Sequence, residues 1–297
     1  MIVIIKMNES NFEEAVNFIA RLQLLSEHHI GYFGVTFEEI STYIKELEVN
    51  WRKSSLLGFE DERLVGAIIT DYDPEIKRAW IHGPIVDHQE WQSIADKLYD
   101  ELRRQVIPKY VTELELYGER LNTNLNKFSK RHGFVSIKSS CVLQFPRAKL
   151  ASLPKIEGQV ITEEYYEAFK LLHAKLFPGT YYTGIQILNK LDNNNTVLME
   201  TENQTLLGFV RGKLEKETNE GYIDFVGVAE SARRKGIGKR LVVAILHWLF
   251  RSFPQINVVT LTVYETNIPA ISLYINLGFK KIRLLQGYRK TIEGNRT

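Results

Sequence analysis

Cysteine is almost absent from this chain of 297 residues, which contains a single one, Cys141. A lone cysteine excludes an intramolecular disulfide framework and predicts a reducing, cytoplasmic location. It also leaves no pair of thiolates for a zinc site, and the seven histidines show no zinc-like spacing. The sequence therefore predicts no metal.

Long apolar runs and a strong net charge are also missing. No stretch approaches the roughly 18 apolar residues of a membrane-spanning helix, and the apolar start at residues 1–5 is too short for a signal peptide. With 38 basic and 36 acidic residues, the net charge is +2, which argues against bulk electrostatic binding to nucleic acid. We therefore expect a globular protein, a monomer or homodimer, that binds neither membrane nor nucleic acid.

The most informative segment is a basic, glycine-containing turn at residues 233–240, between an apolar strand-like run and an apolar helix-like run. The first backbone N–H groups of a helix have no intrahelical partner, and the helix dipole there favours an anion. Gly236 and Gly238 have no side chain, so a phosphate can approach their amides closely. The segment predicts a diphosphate site, formed by Arg233, Arg234, Lys235, Gly236, Ile237, Gly238 and Lys239.

Two common phosphate motifs do not fit this turn. A P-loop needs glycine at Arg233 and serine or threonine at Arg240, and a dinucleotide fingerprint needs a small residue at Leu241. The Arg-x-x-Gly-x-Gly pattern of Arg233, Gly236 and Gly238 instead resembles the acetyl-coenzyme A motif of the GCN5-related N-acetyltransferases, the GNAT family. A basic helix start without a ligand remains the alternative for the turn taken alone.

A second segment, residues 267–279, resembles the other GNAT signature in its spacing of asparagine, alanine, tyrosine and Gly-Phe. It predicts a helix that begins near Asn267 and ends at Gly278. Tyr274 on this helix is either a half-buried packing residue or a functional one. Two signatures in the family's order indicate a GNAT acyltransferase domain.

The chain reads as two successive halves. From Gly66 to Val86 is 20 residues, and from Gly208 to Val228 is also 20. Strands and helices follow the same order twice, which predicts an α/β fold (α+β, mixed sheet) built as two tandem GNAT folds. We place the domains at 1–148 and 149–297. The predicted helices begin at a capping box on Ser10, after Thr36, and at 89–105, 122–132, 163–176, 184–191, 237–252 and 267–277.

The first half lacks the residues of the second-half motifs. After Val86 come acidic and bulky residues, with Asp87 and Trp91 in place of a basic glycine turn, and Ser129 stands where Tyr274 would be. We interpret residues 1–148 as a degenerate GNAT-like domain that has kept the packing pattern and lost the cofactor site.

The resemblance implies a mechanism for the second half, the direct transfer of an acetyl group from acetyl-CoA to an amine. It implies that pantetheine lies along the strand at Val226 and Val228, that Asn267 helps bind the cofactor, and that Tyr274 protonates the leaving thiolate. Strand alternation predicts that Asp224 shares a face with Tyr222, Val226 and Val228, which makes it the candidate general base. Glu200, Glu217 and His173 are further, unranked candidates.

The acceptor is left open by the sequence. The loops at about 173–195 are expected to form its site, and the aromatic segment from Phe177 through Tyr181 to Tyr182 is either an acceptor wall or domain packing. The candidates are small-molecule amines, an amino-sugar antibiotic, a polyamine, or a protein lysine or N-terminus. The alternative functions are a coenzyme A-binding sensor without catalysis, or a nucleic-acid-binding module using Arg233–Arg240, which the near-neutral charge disfavours.

Overall fold

The computed structural model describes residues 1–178, 180, 182–216 and 218–292, and the chain divides into two compact units. The first unit comprises Met1–Ser140 together with the C-terminal segment from Leu284 onward, and the second comprises Cys141–Arg283. This division differs from the boundary predicted at 148/149, because the end of the chain packs with the first unit. Tyr181 and Glu217 lie outside the described residues.

The first unit follows the predicted order of elements. Helix α2 begins where the sequence indicated, because the Thr36 side chain accepts from the Glu39 amide and the Glu39 side chain bonds back to the cap. The first helix instead starts two residues earlier, in a box formed by Asn8 and Asn11, so the cap predicted at Ser10 is wrong. The elements are β1 (Ile2–Lys6), α1 (Glu9–Gln23), α2 (Phe37–Lys45), α3 (Trp51–Ser54), β2 (Ser55–Glu60), β3 (Arg63–Asp73), β4 (Arg78–Val86), α4 (Trp91–Gln105), β5 (Glu113–Glu119), α5 (Thr123–Arg131) and β6 (Val135–Pro146).

The second unit also matches its predicted order, and the helix predicted at 237–252 has those bounds. A short 3₁₀ segment, Arg147–Ser152, follows β6. The elements are β7 (Gln159–Val160), α6 (Tyr166–Leu176), α7 (Gly184–Asn189), β8 (Asn195–Glu202), β9 (Thr205–Glu215), β10 (Glu220–Val228), α8 (Ile237–Ser252), β11 (Val258–Tyr264), α9 (Ile268–Leu277) and β12 (Lys280–Thr291).

Strands β6 and β12 each pass from one unit to the other. In the first unit the strand order is β1-β2-β3-β4-β5-β12-β6, so the end of β12 lies between β5 and β6. Residues Leu285–Thr291 of β12 pair antiparallel with Glu113–Glu119 of β5. In the second unit the order is β6-β11-β10-β9-β8-β7. The mixed α/β fold class is therefore confirmed.

The sheet of the second unit is covered on both faces. A Cβ built at Gly212 would meet Ile245 of α8, so this face of β9 is in close contact with α8. On the opposite face, Phe169 of α6 packs edge-on against Phe209 of β9 at 4.7 Å, and Phe225 belongs to the same buried cluster. No helix in the described ranges is both long and apolar enough to cross a bilayer.

Strand β10 separates from β11 partway along its length. Its parallel pairing with β11 runs from Gly221 to Ile223, whereas its antiparallel pairing with β9 continues to Val228. At the point of separation β10 carries one extra residue, Asp224, between the pairs Ile223–Gly212 and Phe225–Arg211. This is a β-bulge, which bends a strand and increases its twist. Beyond it, one edge of β10 is open.

Candidate active site

A cleft of about 720 Å³ lies beside the open edge of β10, bounded by that strand, the turn before α8, helix α9 and the end of α6. Ten of the twelve predicted site residues line it; Asp224 and Lys235 do not. The ten are Val226, Val228, Arg233, Arg234, Gly236, Ile237, Gly238, Lys239, Asn267 and Tyr274. Two sequence segments that the motifs selected separately therefore form opposite walls of one site.

The turn before α8 has the geometry of an anion cradle. Gly236 is the N-cap of α8 in a left-handed conformation with φ of 77°, and no side chain caps the helix, so its first amides stay available to a ligand. Arg234 also has a positive φ, 63°, which brings the turn tightly onto the helix start. A Cβ at Gly238 would make only ordinary contacts, 3.6 Å to Leu273 and 3.7 Å to Val228, and would occupy space between these cleft walls. The turn and helix start thus fit a diphosphate.

The basic residues of the turn divide into two groups. The Arg240 guanidinium pairs with Glu200, with Nε 3.1 Å from Oε1, and its Nη1 donates to the Lys235 carbonyl at 3.0 Å. Glu200 lies on β8, so its pairing with Arg240 fixes the turn to that strand. The sequence had also made Glu200 a candidate general base, and here its carboxylate is paired with Arg240. Arg233 is exposed, with Nε 3.4 Å from the Val228 carbonyl, and it lines the cleft together with Lys239.

Tyr274 lies on the inner face of α9 and is 6% exposed. Burial raises the pKa of its phenol well above the usual 10, so the hydroxyl stays protonated throughout the neutral range. The ring packs against Phe279 with centroids 5.5 Å apart. Helix α9 is fixed at both ends, by Asn267, whose Oδ1 accepts from the Ala270 amide at 3.3 Å, and by Gly278 in a left-handed conformation. The phenol is therefore held at the wall of the cleft in its protonated form.

The prediction that Asp224 shares a face with Val226 and Val228 is wrong. Before the bulge, a Cβ at Gly221 would meet Leu249 of α8; after it, Phe225 points to the opposite, α6 side. The extra residue breaks the alternation, so Val226 and Val228 turn to the α8 side and Asp224 remains on the α6 side. There its carboxylate, 1% exposed, forms an ion pair with Nη1 of Arg211.

Arg211, the residue of β9 paired with Phe225, is a buried charged residue that the motif search missed. It is 1% exposed, and its Nη2 donates to Asn195 at 3.1 Å while its guanidinium lies over the Tyr182 ring at 5.3 Å. Its one sequence signal is a charged residue inside the apolar run of a central strand, where a charge is costly unless it is paired. That signal is weak without knowledge of the bulge that supplies its partner.

His173, another base candidate, is 1% exposed on α6. Burial, and then the charge of Arg211, lowers the pKa of its imidazole, so the ring is neutral at pH 7. Its Nε2 has no hydrogen-bond partner among the residues that the structure describes. The ring packs between Phe177 and Phe225, at 5.4 and 4.9 Å. In the same described part of the chain, no group of three or more histidine, cysteine or acidic side chains is placed to hold a metal.

The corresponding place in the first unit is filled by the chain itself. Strand β4 pairs with β5 only as far as Ile81, and a register shift follows, as in β10. The open edge of β5 is then taken by an earlier segment: the Gly31 amide donates to the Tyr117 carbonyl at 2.7 Å, and the Glu119 amide donates to the His29 carbonyl at 3.0 Å. Segment 29–31 therefore occupies the edge of β5 beside the point where β4 leaves it.

Comparisons with known proteins agree with this geometry. A profile of the acetyltransferase (GNAT) family matches residues 160–279. An N-alpha-acetyltransferase of Saccharolobus solfataricus is 29% identical over 135 residues, covering 45% of this chain and 76% of the relative. A GCN5-related N-acetyltransferase from Sphaerobacter thermophilus has a similar fold, with a TM-score of 0.74 and 15% identity over 98% of this chain and 95% of that one. A tandem GNAT protein from the clavulanic acid biosynthesis pathway superposes with a TM-score of 0.68 and 14% identity over the full length of both chains.

Proposed function

Because this chain belongs, through residues 160–279, to the GNAT family of acetyltransferases, we propose that it is an acetyl-CoA-dependent N-acetyltransferase with its cosubstrate site in the second unit. The observation that carries this proposal is the convergence of ten predicted residues on one cleft. Acetyl-CoA supplies an activated acetyl thioester. The first unit, in this proposal, is a degenerate partner without catalysis.

The open edge of β10 offers backbone groups to the cosubstrate. Backbone N–H groups alternate between the two edges of a strand, and the Ala229 amide donates to Leu207 on the β9 side at 2.8 Å. The N–H of Val228 therefore points to the edge from which β11 has separated. We propose that Val226 and Val228 hold pantetheine by backbone contacts, that the Val228 amide polarises the thioester carbonyl, and that the amides of residues 236–239 bind the diphosphate.

Direct transfer requires a proton for the departing thiolate and a neutral amine. Tyr274 lines the cleft and is protonated at neutral pH, so we propose it as the general acid. The carboxylate base candidates in the described ranges are both paired, Glu200 with Arg240 and Asp224 with Arg211. An acceptor that is partly neutral without help from the protein fits this site best.

The acceptor that meets this condition is an α-amine. With a pKa near 8, roughly a tenth of an N-terminal amine is neutral at pH 7, against less than about a thousandth of a lysine amine with a pKa near 10.4. The relative from Saccharolobus solfataricus is named an N-alpha-acetyltransferase. We therefore propose a primary α-amine of a peptide or a small molecule as acceptor.

Paired peptides test this acceptor class. A lysine-free peptide with a free N-terminus should be acetylated, with release of free thiol, whereas the same peptide with a blocked N-terminus and one lysine should react slowly. The rate with the first peptide should rise with pH up to about 8 and then level off, as the amine loses its proton. Equal rates with both peptides would contradict the α-amine proposal. Coenzyme A binding without thiol release from any amine would favour the sensor function.

The lack of the cofactor-motif residues in the first half of the sequence predicts one cosubstrate per chain. Native mass spectrometry or titration calorimetry of the full chain with excess coenzyme A should give one equivalent. His29 and Gly31 already bond the edge of β5, and Asp87 and Trp91 stand in place of a basic glycine turn, so we expect no second equivalent. A second equivalent of similar affinity would overturn the interpretation of the first unit as degenerate.

We infer the cellular location, the partners and the oligomeric state of the protein from weaker features. Cys141 is fully buried and needs no partner, which suits the reducing cytoplasm we propose. The net charge of +2 argues against nucleic acid as the partner of the basic turn. A monomer or a homodimer remains our expectation.

A further inference from the structure

The buried ion pair between Arg211 and Asp224 lies at the bulge from which the cleft begins. Asp224 is the extra residue of β10, and Arg211 is the residue of β9 paired with the next position, Phe225. The two side chains are 2% and 1% exposed. The ion pair thus bridges the two strands at the one point where their register shifts.

Two residues besides Asp224 also contact the guanidinium of Arg211. Asn195 of β8 accepts from its Nη2, and Tyr182 lies against the guanidinium face. Lys213 stands 4.0 Å from the second carboxylate oxygen of Asp224 and itself pairs with Glu215. Asp224 therefore lies beside two positive charges on the α6 side of the sheet, whereas Val226 faces the α8 side.

Burial makes this pair a strong constraint on the backbone. Removing one partner leaves an unpaired charge inside the protein, which is much more costly than the loss of a surface ion pair. If β10 were to lose the bulge, its alternation would be restored and Asp224 would exchange faces with its neighbour, leaving Arg211 without its carboxylate. The pair therefore favours the bulged register, and the bulge is where β10 departs from β11.

We propose that Arg211 and Asp224 are positioning residues that hold the cosubstrate cleft open by fixing the bulge, and that Asp224 does not accept the proton of the amine. This inference rests on the proposed function, since it assigns a role within the same site. Under this proposal, substituting either residue weakens coenzyme A binding, whereas substituting a general base would lower turnover alone.

A double-mutant cycle on coenzyme A affinity tests the proposal. Asp224→Asn and Arg211→Gln should each weaken binding of free coenzyme A by at least about tenfold, and the double variant should be no weaker than the poorer single variant, because the two residues act as one unit. Arg78→Gln, which breaks an interstrand ion pair with Glu113 in the first unit, is the matched control and should leave the affinity unchanged. Calorimetry below the unfolding temperature of each variant supplies the measurement.

Each result separates the proposal from its rivals. Wild-type affinity in a folded Arg211→Gln variant overturns the positioning role, whereas a wild type that binds no coenzyme A overturns the proposed function instead. If Arg211→Gln does not fold, Asp224→Asn alone decides. A raised KM for acetyl-CoA with an unchanged pH profile of kcat supports positioning, and a large loss of kcat with unchanged coenzyme A affinity identifies Asp224 as the base.

Discussion

Tyr274→Phe should lower turnover by roughly 10²–10⁴-fold while coenzyme A affinity stays near that of the wild type. The substitution keeps the ring that packs on Phe279 and removes only the proton that we assign to the leaving thiolate. The loss should be similar at all pH values from 6 to 9, because the raised pKa of Tyr274 keeps the phenol protonated over that whole range and its ionisation does not contribute to the profile. Steady-state kinetics, with chemistry shown to limit the rate, provides the measurement.

Tyr99→Phe is the matched control for this experiment. Tyr99 lies on α4 of the first unit, is 1% exposed, and its hydroxyl has no partner in the described part of the structure. Burial raises the pKa of its phenol to about 12, so Tyr99, like Tyr274, is a buried phenol that stays protonated at neutral pH. Turnover of Tyr99→Phe should equal that of the wild type. A Tyr274→Phe enzyme as active as this control would remove Tyr274 from the mechanism.

Gly238→Val should weaken coenzyme A binding by at least about tenfold, the loss expected when a hydrogen bond to a charged group cannot form. A Cβ at this position meets only Leu273 and Val228, at ordinary contact distances, so we expect the fold to tolerate it and the added methyl groups to enter the space where we propose that phosphate binds. Gly238→Ala should have a smaller effect in the same direction. Titration calorimetry measures both.

The first unit again provides the control. Gln92 is the second residue of α4, as Gly238 is the second residue of α8, and it is exposed. Gln92→Val introduces the same side chain at the same helix position without touching the cleft. If both valine variants bind coenzyme A as tightly as the wild type, the diphosphate is not held at the start of α8.

Local signals in the sequence were sufficient to predict the segments that form the walls of the cleft. Gly236 and Gly278 mark helix ends through left-handed conformations that other residues rarely adopt, so α8 and α9 could be placed closely. The fold class followed from the repeated order of strands and helices. The error at the first helix also has a local cause. Asparagine and serine are both favoured N-cap residues, and Asn8 and Ser10 are less than one turn apart, so the sequence alone does not select between them.

The residues on the other face could not be placed from the sequence. A period of two assigns Asp224 to the face of Val226, and one additional residue reverses that assignment without leaving a mark in the sequence. The ion pair of Arg211 can be recognised only when the bulge is known, because its partner is 13 residues away on the neighbouring strand. The pattern of a single strand therefore cannot predict features that depend on the register between two strands.

The passage of β12 into the first unit affects how the protein is made. Arg289 and Glu115, which pair across β12 and β5, are 174 residues apart in the sequence, so this contact has a very high contact order. While the ribosome is still synthesising the second unit, β5 lacks its neighbour and exposes an unpaired edge, which is a template for aggregation. The first unit, although its other strands are translated first, completes its sheet only when β12 has been synthesised.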